Sequence, residues 1–303
     1  MELSRNILHR FHWKASPYQL AALRIACGLQ ILYAVNSGIF DLLLAVNARQ
    51  NKVATIFPEL LDRLTADHLV HPFVIICTVG AVLLTIGLFT RIILPMLTVA
   101  FVVLYGFYYL GANAPAQWLY LWFPLVVFCF ADTQAVWSVD ALIAKRRQRS
   151  SPTNDIRFRW PLELCVLWFC YIYFAAGLAK LFPLFKGFSW FNGQTSKEII
   201  YYRYLDSPFH YVFGEPFFNY AEAGVFFSVI TLMALALELY AIVLVFTDKR
   251  HMLVLCSFLF MHLFLYMTGV AGFTQTALVL GISLMPQHWF EKIGALLTAR
   301  SAG

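Results

Sequence analysis

The sequence predicts an all-α fold, a polytopic transmembrane helical bundle of about eight spans with an aromatic-rich outer segment. Three observations carry this. Apolar residues make up 61% of the 303-residue chain and charged residues only 13%, with a mean hydropathy of +0.71. A soluble domain is closer to half apolar and a quarter charged, and one aqueous core of this length could not hide so much apolar surface. The apolar runs are also long and unbroken rather than alternating in ten-residue segments, which favours helices over a closed barrel, the other structure that satisfies its own backbone in lipid.

The expected spans lie near residues 18–38, 70–90, 92–111, 117–136, 160–182, 222–246, 251–268 and 270–287. Each approaches the roughly 20 residues needed to cross the hydrocarbon layer. The last two are the shortest, and their division at Gly269 to Gly272 leaves open one kinked helix or two thin ones. Residues 39–69, with Pro58, Glu59, Asp62, Arg63 and Asp67, are expected to include a short surface helix. Residues 183–221 hold Trp190, Phe191, Tyr201, Tyr202, Tyr204 and Tyr211. That stretch is too apolar to float in water and reads either as an interfacial aromatic belt or as the cap of an outward-opening cavity. No internal repeat or low-complexity linker divides the chain, so residues 1–303 read as a single transmembrane domain.

The net charge is +6 and the pI about 9.0. In this context the excess reads as topogenic rather than as a nucleic-acid footprint, since no basic patch interleaved with aromatics accompanies it. With the N-terminus in the cytoplasm, fourteen of the 22 Lys and Arg residues fall on the inner side, the run Lys145–Arg149 foremost, against seven outside or at the outer edge. The opening MELSRNILHRFHWK leads into a long apolar segment without a small-residue cleavage site, which reads against a cleaved signal peptide. All six cysteines fall in apolar runs without CxxC or zinc spacing, and are expected to be buried hydrophobes. No metal is expected: His262 has no ligand-type residue at i+3 or i+4, and His68 with His71 reads as a solvated loop pair.

Polar residues inside spans are expensive and are read first as functional. Arg24 lies in LAALRIACGLQILY, Glu163 in WPLELCVLWF, Glu238 in ALALELYAIVLVF and His262 in FLFMHLFLYMTG. Lys180 closes YIYFAAGLAKLF, which also holds Tyr173. Structural roles stand beside these. Arg24 could pair with Glu163 or Glu238, His262 could bond a carbonyl across the bundle, and Lys180 could snorkel to the headgroups. Ser138 and Asp140 read as a helix cap. Lys180 has the sharpest chemical case: it follows Gly177, which permits close helix approach, and it adjoins the aromatic segment. An amine kept dry among such neighbours can serve as a base.

The stretches ADTQAVWSVDALIAKRRQR, YIYFAAGLAKLF and WFNGQTSKEIIYYRYLDSPF, with LAALRIACGLQILY before them and FLFMHLFLYMTGVAGFTQTALVLGISLMP after, resemble the membrane part of vitamin K-dependent gamma-carboxylase. They are similar also to the wider bacterial family of horizontally transferred transmembrane domains, over residues 18–287. The resemblance implies an integral, multi-pass protein of a bacterial inner membrane that binds a reduced quinone, vitamin K-like or ubiquinol-like. It implies a lyase- or oxygenase-type reaction in which Lys180 deprotonates the quinol at the outer face, oxygen reacts with it, and a secreted peptide or protein is modified. Glu238 and His262 match polar positions of late spans, while Trp190, Tyr173 and Arg24 would line the quinone site. Two departures stand out. Gln117 replaces a histidine of the carboxylase and cannot shuttle protons as imidazole does, and these residues do not include the large extramembrane domain. What the resemblance leaves is the first half of the reaction, quinol binding and oxygenation. The alternative is a non-catalytic membrane subunit or assembly factor that binds a lipid or a secreted partner. A transporter would show an inverted repeat or paired broken helices, and neither is visible.

Overall fold

The computed structural model describes residues 9–36, 67–111, 119–146, 154–181, 190–214, 224–246, 252–269 and 274–300. Their structure is helical: α1 (Pro17–Asn36), α2 (Asp67–Ile86), α3 (Thr90–Gly111), α4 (Leu119–Cys129), α5 (Val139–Arg146), α6 (Arg159–Leu181), α7 (Gln194–Arg203), α8 (Pro208–Phe213), α9 (Gly224–Phe246), α10 (Met252–Met267), α11 (Thr274–Leu284) and α12 (Gln287–Arg300). Short 3₁₀ turns at Ile156–Phe158 and Tyr204–Asp206 precede α6 and α8. Among the described residues the only β-type pairing is an isolated bridge between Ala15 and Asp155.

Among the described residues, three helices are long and apolar enough to cross a membrane: Pro17–Asn36, Ile156–Leu181 and Gly224–Phe246. His71–Ile86, Thr90–Gly106, Tyr120–Cys129 and Leu253–Met267 are shorter apolar helices. The fourth expected span is cut short, because α4 ends at Cys129 and the chain turns at once, with Phe130 N–H bonded to Val127 O and Ala131 N–H to Phe128 O. Near the seventh expected span, α10 stops at Met267 in a turn through Gly269 (φ +84°). The surface helix expected in 39–69 and the position of Gln117 lie outside the described residues.

By packing, the chain divides into two compact units: Met1–Arg10 with Val166–Pro286, and Phe11–Cys165 with Gln287–Gly303. In the second unit, α1 packs along α2, α2 along α3, and α3 against α4. The interior is built from Leu20, Leu23 and Ile31 of α1, Leu84 of α2, Phe101 of α3 and Phe128 of α4, all essentially inaccessible. The outward faces are just as apolar. Ile75, Val79, Val82 and Ile86 of α2, and Ile92, Met96 and Val99 of α3, recur at helical spacing and are exposed. A continuous exposed stripe of aliphatic residues on both helices is what lipid, not water, would cover. The prolines Pro72, Pro95 and Pro124 sit inside α2, α3 and α4. Hydroxyl and thiol side chains bond carbonyls along those helices, Thr98 Oγ1 to Leu94 O at 2.7 Å and Cys129 Sγ to Leu125 O at 3.3 Å, the kind of contact that makes a broken ladder tolerable in lipid.

In the first unit, α9 is inside-out. Its exposed residues include Val225, Val229, Leu232 and Met233, while its buried face carries Thr231 and Glu238 beside Phe227, Leu235 and Leu244. Thr231 Oγ1 donates to Ser196 Oγ at 2.7 Å, tying α7 to α9. Arg10, buried, donates from its guanidinium to Leu244 O at 3.2 Å, which gives a cation to a last-turn carbonyl of α9. Ser207 caps α8 by accepting from His210 N–H at 3.1 Å, with Pro208 in the first turn.

Candidate ligand site

The site is assembled on residues 166–181 of α6, on α9 and α10, and on the turn before α7, all within the first unit. Tyr173, Gly177 and Lys180 of α6 are spaced four and three residues apart, so they share one face of the helix over two turns, about 10.5 Å of rise. At the α9 level, Lys180 Nζ is ion-paired to both carboxylate oxygens of Glu238. The side chains are 20% and 10% exposed. Gly177 makes this approach possible: a Cβ there would lie 3.0 Å from Leu239 Cδ2 and 3.2 Å from Glu238 Cβ. On its other side the ammonium lies 5.2 Å from the ring centroid of Trp190, within cation–π range and worth about 0.5–2 kcal/mol.

At the α10 level, the Tyr173 hydroxyl is hydrogen-bonded to His262 Nε2, and both residues are buried. Phe258, one turn before His262, packs on Tyr173 with ring centroids 4.7 Å apart. A phenol against an imidazole can hold a proton in either of two places, because each group both donates and accepts. Five of the six residues to which the resemblance gave a site role therefore fall in one unit: Lys180, Glu238 and Trp190 form one cluster, Tyr173 and His262 another.

Arg24 is placed differently. It belongs to the second unit, is fully buried, and its guanidinium donates to Leu84 O at 3.1 Å and to Trp137 O. The expected pair with Glu163 or Glu238 is not formed. Glu163 is paired with Arg159 one turn earlier on the same helix, and Glu238 with Lys180. Arg24 instead closes the C-terminal end of α2, where last-turn carbonyls lack helical partners. Gly87 makes room for it, with φ +69° and a notional Cβ only 1.9 Å from Arg24 Nη1.

The Trp-Ser-Val-Asp stretch is accounted for by local structure. Trp137 offers its carbonyl to Arg24 from a left-handed backbone (φ 49°). Ser138 Oγ accepts from Ala141 N–H at 2.9 Å and caps α5. Asp140 carries a bond that sequence spacing did not reveal: its two carboxylate oxygens accept from Phe89 N–H at 3.0 Å and Thr90 N–H at 2.9 Å, capping α3 rather than its own helix.

Comparison with protein families, curated proteins and solved structures finds no match for this chain. An ammonium and a carboxylate in contact, inside apolar helices and under an indole face, suit a ligand that brings a flat ring and an acidic hydroxyl. The carboxylate can take a proton and the ammonium can hold the negative charge that remains. Among the described residues no group of three His, Cys, Asp or Glu side chains is placed to hold a metal ion.

Proposed function

We propose that the protein spans the membrane several times and binds a quinol-like lipid at the Lys180–Glu238–Trp190 cluster, where it removes a proton from the ligand's hydroxyl. The observation that carries this reading is the ion pair itself, facing Trp190 from within apolar helices. A quinol would supply an acidic hydroxyl and an oxygen-reactive ring. Glu238 accepts the proton, Lys180 turns from Glu238 to the charge left behind, and Trp190 covers the ring. Tyr173, two turns from Lys180 on the same face of α6, and its partner His262 of α10 provide a second site at which a proton can rest. This moves the base from a lone Lys180 to the pair, since the amine already has a carboxylate beside it. The resemblance to the gamma-carboxylase membrane domain, through AAGLAKL and WFNG, supports the same assignment and a bacterial inner-membrane location, with oxygenation or modification of a secreted peptide to follow.

A cytoplasmic N-terminus is supported by the basic end of the second unit. Arg157 and Arg91 share Asp132 there, Arg159 lies over Trp13 with 5.3 Å to the ring centroid, and Lys145 and Arg146 are exposed at the end of α5. In the first unit, the exposed Tyr201, Tyr202 and Tyr211 suit a headgroup layer.

The test is extraction in mild detergent followed by mass spectrometry of co-purifying lipids. Wild-type protein retains a quinone, while Lys180→Met and Trp190→Leu, each still folded, retain at least about tenfold less, a loss of about 1.4 kcal/mol in affinity. Equal quinone in all three, or none in the wild type, overturns the reading. A second reading, a non-catalytic subunit in which the pair only clamps α6 to α9, is favoured by the closure of the pair on itself. It predicts that the reversed pair, Lys180→Glu with Glu238→Lys, retains function.

A further inference from the structure

We propose that a groove at the basic end of the second unit is a binding site for an acidic phospholipid of the surrounding bilayer. This site is independent of the quinol reading. The groove, of about 390 Å³, lies between the start of α3 and α5 and is lined by Phe89, Arg91, Ile92 and Gln134 with the small residues Ala141 and Ala144. Its composition is that of a headgroup joined to an acyl chain. Phe89 and Ile92 are 58% and 64% exposed and offer an apolar wall, while Arg91, with its side chain 82% exposed, stands at the polar rim.

Two features argue for an anionic occupant. Among the described residues, Arg91 is held by an exposed contact of 3.4 Å to Asp132, which Arg157 also engages at 3.3 Å. Such a pair is weak in water and is readily exchanged for a phosphate, while Arg157, which also lies 3.9 Å from Asp155, stays beside Asp132. Among the described residues the only carboxylate lining the groove, that of Asp140, is committed to the Phe89 and Thr90 amides and is thereby partly neutralised. The exposed Lys145 and Arg146 at the end of α5 add positive potential beside it.

The backbone supports a built site. Phe89 is one of only two non-glycine residues among those described with positive φ (52°). Asp140 fixes this left-handed position while the ring projects outward, and such strain, once observed, is a pointer to function rather than to packing. Nothing in the core rewards an exposed phenylalanine there, whereas an acyl chain would.

The experiment uses full-length protein in mild detergent and native mass spectrometry with added phosphatidylglycerol or phosphatidylcholine, and glycerol 3-phosphate as a soluble competitor. Wild-type protein holds phosphatidylglycerol about fivefold more strongly than phosphatidylcholine, the preference one basic residue near an anionic surface confers. Arg91→Gln levels the two lipids and Arg91→Lys keeps most of the preference. Phe89→Gly, which also relieves the left-handed strain and so should fold, lowers retention of both. Equal retention of both lipids by the wild type, an unchanged preference in Arg91→Gln, or unchanged retention in Phe89→Gly overturns the proposal. Displacement by glycerol 3-phosphate at lipid-like concentration also overturns it, in favour of a site for soluble anions.

Discussion

Removing Lys180 should destabilise the protein far more than removing Lys180 and Glu238 together. The two side chains are only 20% and 10% exposed, so neither charge is well served by water once its partner is gone. Breaking a buried pair from one side costs about 3–5 kcal/mol, whereas replacing both partners with apolar residues of similar volume is near neutral or stabilising. Lys180→Met and Glu238→Leu should therefore each cost about 3–5 kcal/mol, and the double substitution about 0–2 kcal/mol. The coupling measured by the cycle is then at least about 4 kcal/mol. Reversible unfolding by SDS in mixed micelles reads all four proteins. Single substitutions costing less than about 1 kcal/mol, or a double substitution equal to the sum of the singles, would refute the reasoning, because the charges would then be solvated separately. The double variant has a further use: it keeps the fold while deleting both proposed proton-handling groups.

Two other substitutions probe the supports of the two units. Tyr173→Phe deletes the hydroxyl bonded to His262 without changing the ring packing on Phe258, and should cost about 1–3 kcal/mol in the same unfolding assay. Asp140→Ala removes both caps from the start of α3 and should cost about 1–2 kcal/mol. Hydrogen exchange should rise at Phe89 and Thr90 in that variant while the first unit is unaffected; unchanged protection there would show that the cap is not Asp140.

What the sequence made legible was chemistry that is expensive in lipid. Lys180, Glu238 and His262 stand out because each interrupts an apolar run, and their exceptional cost marks them without any knowledge of neighbours. Their partners were not legible. The Lys180–Glu238 pair depends on α6 meeting α9 at Gly177, and no periodicity within α6 says which helix will lie there. Arg24 was expected to seek a carboxylate because an ion pair is the partner a sequence can display. The carbonyls of Leu84 and Trp137 that it bonds belong to backbone positions whose side chains carry no such signal. The same holds for Asp140, which caps a helix starting fifty residues earlier. Helix lengths were misjudged where hydropathy continued past a turn: apolar Phe130 and Ala131 extend the apparent fourth span, yet the backbone turns after Cys129.

The central claim, that the Lys180–Glu238 pair takes a proton from a quinol-like lipid, is tested most directly by anaerobic difference spectroscopy of purified protein mixed with a naphthohydroquinone near neutral pH. The account predicts the absorption of the ionised ligand in wild-type protein and in Trp190→Phe, and its loss in the stable double variant Lys180→Met with Glu238→Leu. An ionised ligand of equal intensity in that double variant, or none in the wild type at saturating ligand, would contradict it.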